Sequence, residues 1–290
     1  MESGILTTLI LPASLFIIML GMGLSLTIQD FRNVVKYPKA FAIGIVNQLV
    51  LLPIIGFLLL FIFKMDPILS VGFMLLAACP GGVTSNLISH VAKADTALSI
   101  SLTAVTSFIT VLTIPLIVNF ALGYFMSENQ EIQLPIVKTI VQIIGITVLP
   151  VSLGMFIRKR LPEFSDRMEK PARTASTVIF VLIFLGIVFT NLDILQENIG
   201  KLGLATLTLN VITMLTGYII ARALQLNLPQ TLSIAIESGI QNGTLAIVIA
   251  SSILQNADMS LPAAIYSLPM FLTGGIIMYS FGGRNKDVSA

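Results

Sequence analysis

Nine apolar stretches follow one another along this chain with only short polar gaps, at about residues 5–28, 38–63, 67–91, 96–124, 133–157, 174–192, 202–221, 229–254 and 261–282. A helix needs roughly 20 predominantly apolar residues to cross a hydrocarbon core of about 30 Å. Inside that core each backbone amide and carbonyl has to find its partner within the protein, which makes helix the form for runs of this length. The composition agrees: 56% hydrophobic and 10% charged residues with a mean hydropathy of +0.97 describe a chain solvated by lipid. The expected fold is an all-α polytopic membrane protein with about nine transmembrane helices.

The first stretch reads as a mature span and not as a cleaved leader. Its apolar run is long, Glu2 stands where a leader carries a basic cluster, and no small-residue cleavage pattern follows. The single cysteine, Cys79, excludes an intramolecular disulfide and reads as a small buried apolar side chain. Nine spans put the termini on opposite sides of the membrane. One set of alternate loops then holds Arg32, Lys36, Lys39, Lys93, Arg158, Lys159, Arg160, Arg167, Lys170, Arg173, Arg222, Arg284 and Lys286, which are 13 of the 16 Lys and Arg. The other set holds Lys64, Lys138 and Lys201, and the acids are shared almost evenly. The positive-inside rule places the amino terminus outside and the carboxyl terminus in the cytoplasm; the membrane expected is the bacterial inner membrane. The basic loop at 158–173 reads as part of this topology signal in preference to a lipid or nucleic-acid patch.

Of the fourteen acidic residues, Glu237 alone falls within a segment otherwise suited to hydrocarbon. An acid near the bilayer centre costs about 2.5–3.5 kcal/mol on insertion scales, so it points to a partner or a cavity. Around it, Glu237-Ser238-Gly239-Ile240-Gln241-Asn242-Gly243 interrupts the eighth span with an acid, a hydroxyl, two carboxamides and two glycines. Pro80-Gly81-Gly82-Val83-Thr84-Ser85-Asn86 interrupts the third in the same way. The two spans cross in opposite senses, and paired broken helices in oppositely oriented halves are the pointer to an inverted-repeat transporter with its site near the midplane. The repeats are expected at 1–126, with four spans, and 127–290, with five. Unwinding frees carbonyls that bind cations and half-helix amino termini that face anions. Glycine and proline also kink membrane helices without function, but two matched breaks, one bearing an acid, favour a site.

Further oxygen ligands lie nearby. Ser99, Thr103, Thr106 and Thr110 recur at helical spacing on the fourth span, and Asn47-Gln48 is a carboxamide pair in the second. Each has a plainer reading: membrane Ser and Thr bond to their own preceding turn, and a buried carboxamide clamps neighbouring helices. Carbonyl, hydroxyl and amide oxygens around one carboxylate suit a hard cation such as sodium and suit zinc or copper poorly.

Cys79-Pro80-Gly81-Gly82 running to Ser85-Asn86, then Ala97-Leu98-Ser99, and Glu237-Ser238-Gly239-Ile240-Gln241-Asn242 together resemble the bile acid/sodium symporter family. Gly21-Met22-Gly23-Leu24-Ser25-Leu26, leading to Asp30-Phe31, is similar to the family's early segment. The resemblance covers essentially the whole chain. It implies a panel domain and a core domain with two crossed discontinuous helices, in a version lacking the first of ten helices, and a panel made of spans one, five and six. It also implies two sodium ions sharing Glu237, and no other cofactor. One would be held by Ser85, Asn86, Ser99 and Thr103, the other by Gln48, Gln241 and the backbone carbonyls of Ser238 and Ile240. Asn242 and the backbone at Gly82, Val83 and Thr84 would meet the substrate anion. Met270-Phe271 and Val83 stand where some relatives carry polar residues, which implies a less polar cavity.

The function expected is sodium-coupled symport of an organic anion, bile acid-like or a small carboxylate, by alternating access. The partners expected are that anion, sodium and membrane lipid, with no nucleic acid. The alternative of the same class is a proton-coupled carrier in which Glu237 titrates. An intramembrane enzyme would need convergent acids, a His/Cys ligand set or a nucleophile with a base; the chain has one histidine, His90, at a span end, and no paired acids within the spans. A channel is disfavoured by a shared acid at crossed broken helices.

Overall fold

A computed structural model describes residues 9–126 and 135–282. Glu2, Arg284 and Lys286 lie outside the described residues, as do the starts of the first and fifth expected spans.

The described residues are almost entirely helical. Helix α1 (Leu11–Ser25) is followed after a 64° bend by the short α2 (Ile28–Lys36). The bend is fixed locally: Thr27 N donates to Asp30 Oδ2 at 2.7 Å, the reciprocal half of a capping box. Next come α3 (Pro38–Phe63), α4 (Pro67–Ala78), α5 (Val83–Val91) and α6 (Thr96–Phe125). The later part holds α7 (Ile136–Arg160), α8 (Pro162–Thr190), α9 (Leu192–Ala223), α10 (Leu228–Gly239), α11 (Gly243–Ile253) and α12 (Asp258–Gly282). Proline opens α3, α4 and α8, where its missing N–H costs nothing. Asp66, Asp95 and Asn227 cap α4, α6 and α10 by accepting from Ile68, Leu98 and Gln230 N–H at 3.0, 3.1 and 2.9 Å.

Among the described residues six helices are long and apolar enough to cross a membrane, and the bent α1–α2 pair makes a seventh if it is counted as one span. The third and eighth stretches fall short because each is broken. After α4, Pro80 cannot donate and pushes Cys79 into an extended conformation, so the helix stops and restarts at Val83. After α10 the chain is extended at Ile240 and restarts at Gly243. The two breaks lie against each other: Gly81 and Gln241 form an antiparallel bridge, and Asn242 N–H donates to Pro80 O at 2.8 Å.

Helix α1 packs on α7 and α8, whereas α3, α4, α6, α9, α10 and α12 pack among themselves. At the crossing of α1 and α7 the backbones touch: a Cβ on Gly154 would stand 2.7 Å from the carbonyl carbon of Gly23. Large apolar side chains such as Leu116, Leu182 and Phe189 are exposed, as they are where lipid is the neighbour. The expected basic loop at 158–173 is not a loop: only Leu161 separates α7 from α8. Hydropathy marks where a helix enters lipid, and i,i+4 ion pairs carry α8 beyond that point, Glu163 with Arg167 at 3.8 Å and Glu169 with Arg173 at 2.6 Å.

Candidate functional site

Glu237 sits on the last turn of α10, immediately before the second break, and is fully buried. Its carboxylate accepts hydrogen bonds from three neighbouring helices. Ser85 Oγ on α5 donates to Oε1 at 2.6 Å, and Ser99 Oγ on α6 does the same at 2.6 Å. Thr103 Oγ1 lies 3.0 and 2.9 Å from the two oxygens. Gln48 Nε2 on α3 donates to Oε2 at 3.1 Å and to the Glu237 carbonyl at 2.8 Å. No Lys, Arg or His pairs with Glu237 among the described residues. A buried carboxylate without a basic partner is costly, and hydroxyl donors spread its charge without neutralising it.

Asn86 joins this group: its Oδ1 accepts from Ser99 Oγ at 3.0 Å and from Thr103 Oγ1 at 3.2 Å. Ser85, Asn86, Ser99, Thr103 and Glu237 thus meet within hydrogen-bond distances. Gly81 is what admits the carboxylate, since a Cβ there would lie 3.3 Å from both Glu237 Cδ and Ser85 Oγ. The lower half of the Ser/Thr stripe does not take part. Thr106 donates to Leu102 O at 2.8 Å and Thr110 to Ser107 O at 3.2 Å, the ordinary behaviour of a membrane hydroxyl.

The second group lies on the other side of Glu237. Asn47 and Gln48 open a π-helical turn, Asn47–Leu51, within α3, and such turns displace side chains out of the regular helical register. Asn47 Nδ2 donates to Ser238 Oγ, and Gln241 Nε2 donates to Ser238 O at 2.8 Å. The carboxamide oxygens Gln48 Oε1, Gln241 Oε1 and Asn47 Oδ1 are buried with no hydrogen-bond partner among the described residues. Buried carbonyl oxygens normally find partners. Orphaned amide oxygens are the kind of ligand a desolvated hard cation takes, and Gln48 carries one of them on the side chain that donates to Glu237 Oε2. Ser238 and Ile240, whose carbonyls belong to the same expected set, are fully buried in the adjoining turn.

The anion candidates Gly82, Val83, Thr84 and Asn242 line one cavity of about 200 Å³. Gln241 lines it too, so the cavity wall and the group of orphaned carboxamides share a residue. Val83 begins α5 without a side-chain cap, which leaves first-turn amides for other acceptors. Asn242 Oδ1 caps α11 by accepting from Leu245 N–H at 3.0 Å, and its Nδ2 has no partner among the described residues. Met270 and Phe271 line the same cavity, as does Phe180, whose ring meets Phe271 edge-on at 5.9 Å. His90 is exposed in the last turn of α5, away from both groups.

Sequence reading missed a brace behind the second break. Asn210 Nδ2 and Tyr266 OH both donate to Gly239 O, at 2.7 and 2.8 Å, and Thr273 Oγ1 donates to Asn210 Oδ1 at 2.8 Å. A lone asparagine inside the seventh apolar stretch was the available signal.

A family model, that of the Sodium Bile acid symporter family, matches residues 12–198. The "Probable sodium/metabolite cotransporter BASS1, chloroplastic" of Arabidopsis thaliana is 27% identical over 266 residues, covering 91% of this chain, and the chain spans 64% of the length of that relative. The "Uncharacterized sodium-dependent transporter YocS" of Bacillus subtilis is 28% identical over 94% of this chain and 83% of its own length. The "Ileal sodium/bile acid cotransporter" of Homo sapiens is 26% identical over 85% of this chain and 70% of its own length.

Proposed function

The chain belongs to the Sodium Bile acid symporter family, a family of transporters and not of enzymes, and on that premise we propose that it is a sodium-coupled symporter of an organic anion working by alternating access. The observation that carries this reading is Glu237: a fully buried carboxylate with four side-chain donors and no basic partner among the described residues, which makes an imported cation its natural counter-charge.

Two sodium ions are the proposed cargo. One binds among Ser85, Asn86, Ser99, Thr103 and Glu237; the other binds Gln48 and Gln241 through their carboxamide oxygens, with the carbonyls of Ser238 and Ile240. Nine spans then result from counting each broken pair, α4 with α5 and α10 with α11, as one crossing. The halves 1–126 and 127–290 form the inverted repeat, the two broken spans cross at the site, α1, α7 and α8 form the panel, and the remaining helices form the core. The membrane proposed is the bacterial inner membrane, with the amino terminus outward and the carboxyl terminus in the cytoplasm; the distribution of basic residues supports that orientation.

Sodium in both sites would order the carboxamides and carbonyls of the two breaks. The cavity wall would follow, because Gln241 belongs to both and Asn242 is tied to Pro80. The anion would meet Asn242 Nδ2 and the first-turn amides at Val83 and Thr84. Coupling requires only that the ion-loaded state bind the anion more tightly than the empty state.

The test needs no known substrate. Thermal stability of the purified protein is titrated with sodium, potassium and choline in wild type and Glu237→Gln. A sodium-specific rise that the variant loses is the expected result. A rise that follows pH and not sodium, and that depends on Glu237, would replace sodium by the proton.

A further inference from the structure

The cavity beside the two breaks carries charge at one place only among the described residues that line it, and that residue is Arg173. From the sequence it belongs with the basic residues expected to report topology; in the structure it lines the same cavity as Thr84 and Asn242. Its Nη2 meets Glu169 Oε1 at 2.6 Å, one turn back on α8, and the two side chains are 40% and 43% exposed. A guanidinium offers five donors in a fixed fork, and this pair occupies one of them. A half-solvated i,i+4 pair is also weak and readily opened. Around Arg173 the lining divides into the hydroxyls of Ser176 and Thr177 and an apolar wall of Met19, Met22, Phe180 and Phe271. The volume, about 200 Å³, is below the roughly 300–1,000 Å³ typical of sites for drug-sized ligands.

We infer that Arg173 is a specificity-determining residue that pairs with the carboxylate of a small amphipathic anion, and that Glu169 occupies the guanidinium until such an anion replaces it. The inference rests on the symporter reading and narrows its substrate class to carboxylates much smaller than a steroid. A cation at this wall draws the anion in, the fork fixes its head by two parallel hydrogen bonds, and the methionines and phenylalanines cover its body.

The test measures stabilisation of the purified protein, in saturating sodium, by phenylacetate and isocaproate, each beside its uncharged amide, with taurocholate as the steroid-sized probe. At least one small carboxylate should stabilise wild type while its amide does not. Arg173→Gln should weaken that response about 10- to 100-fold, with the sodium-induced rise retained as evidence of an intact fold. Arg173→Lys should recover part of the loss. Glu169→Gln should strengthen the response about two- to fivefold by releasing the guanidinium. If the pair merely supports α8, both Gln variants will weaken binding alike, which overturns the assignment. A response to taurocholate alone, or to no carboxylate, overturns it as well while leaving the sodium reading in place. Loss of the sodium rise in wild type removes both.

Discussion

At the scale of single residues, the site is a problem of placing one negative charge. Glu237→Gln keeps the shape and the Gln48 contact while removing the charge, so sodium-driven uptake into proteoliposomes should fall to background, and the sodium-induced thermal shift should vanish. Normal uptake by this variant would remove the basis of the proposed mechanism. Gln48→Ala and Gln241→Ala each delete one of the orphaned acceptor oxygens, and Gln48→Ala also removes a donor to Glu237 Oε2. Each should raise the sodium concentration needed for half-maximal uptake about tenfold and lower any steepness in the sodium response, since one of two ions is weakened. Gly81→Ala puts a methyl group against the Glu237 carboxylate and should mimic the loss of the first group, with a weakened sodium shift at near-normal expression. Glu237, Gln48, Ser85 and Gln241 were all legible in the sequence, because polar atoms inside apolar runs need a reason. The role proposed for Arg173 was not: the thirteen basic residues expected on one side of the membrane read together as a topology signal, in which a second role for one of them does not show.

At the scale of elements, the breaks and the packing of whole helices decide what can move. Helix α1 meets α7 with Gly23 and Gly154 in direct backbone contact, and a Cβ at Gly154 would lie 2.5 Å from Leu20 O. Gly154→Ala should therefore force the two helices apart and lower stability by about 1–3 kcal/mol, read as thermal unfolding in detergent. An unchanged midpoint would mean that the crossing is loose. Both breaks were legible from glycine and proline inside apolar runs; that they meet was implied only by the family resemblance. The lengths of α8 and α9 were not legible. Spans expected at 174–192 and 202–221 are helices Pro162–Thr190 and Leu192–Ala223, because the charged turns at their amino-terminal ends continue the helix outside the apolar window. Nor did apolar patterning disclose the brace of Asn210 and Tyr266 on Gly239, since the partners stand 29 and 27 residues away in the chain.

At the scale of the whole molecule, two sodium ions accompanying one monovalent anion would move one net charge per cycle. An inside-negative potential of 100 mV would then contribute about 2.3 kcal/mol, or roughly 50-fold in accumulation. Proteoliposomes given a potassium diffusion potential with valinomycin should take up anion faster and further when negative inside; indifference to the potential would mean an electroneutral cycle. The tie between Gly81 and Gln241 has a different kind of consequence. It is made of main chain, and main-chain bonds do not depend on which side chains surround them. Much of the wall of the neighbouring cavity comes from elsewhere, from Met19 and Met22 on α1, Phe180 on α8 and Phe271 on α12. On the proposed reading, substitutions in that wall would change what is carried, one side chain at a time, and leave the tie between the two breaks in place.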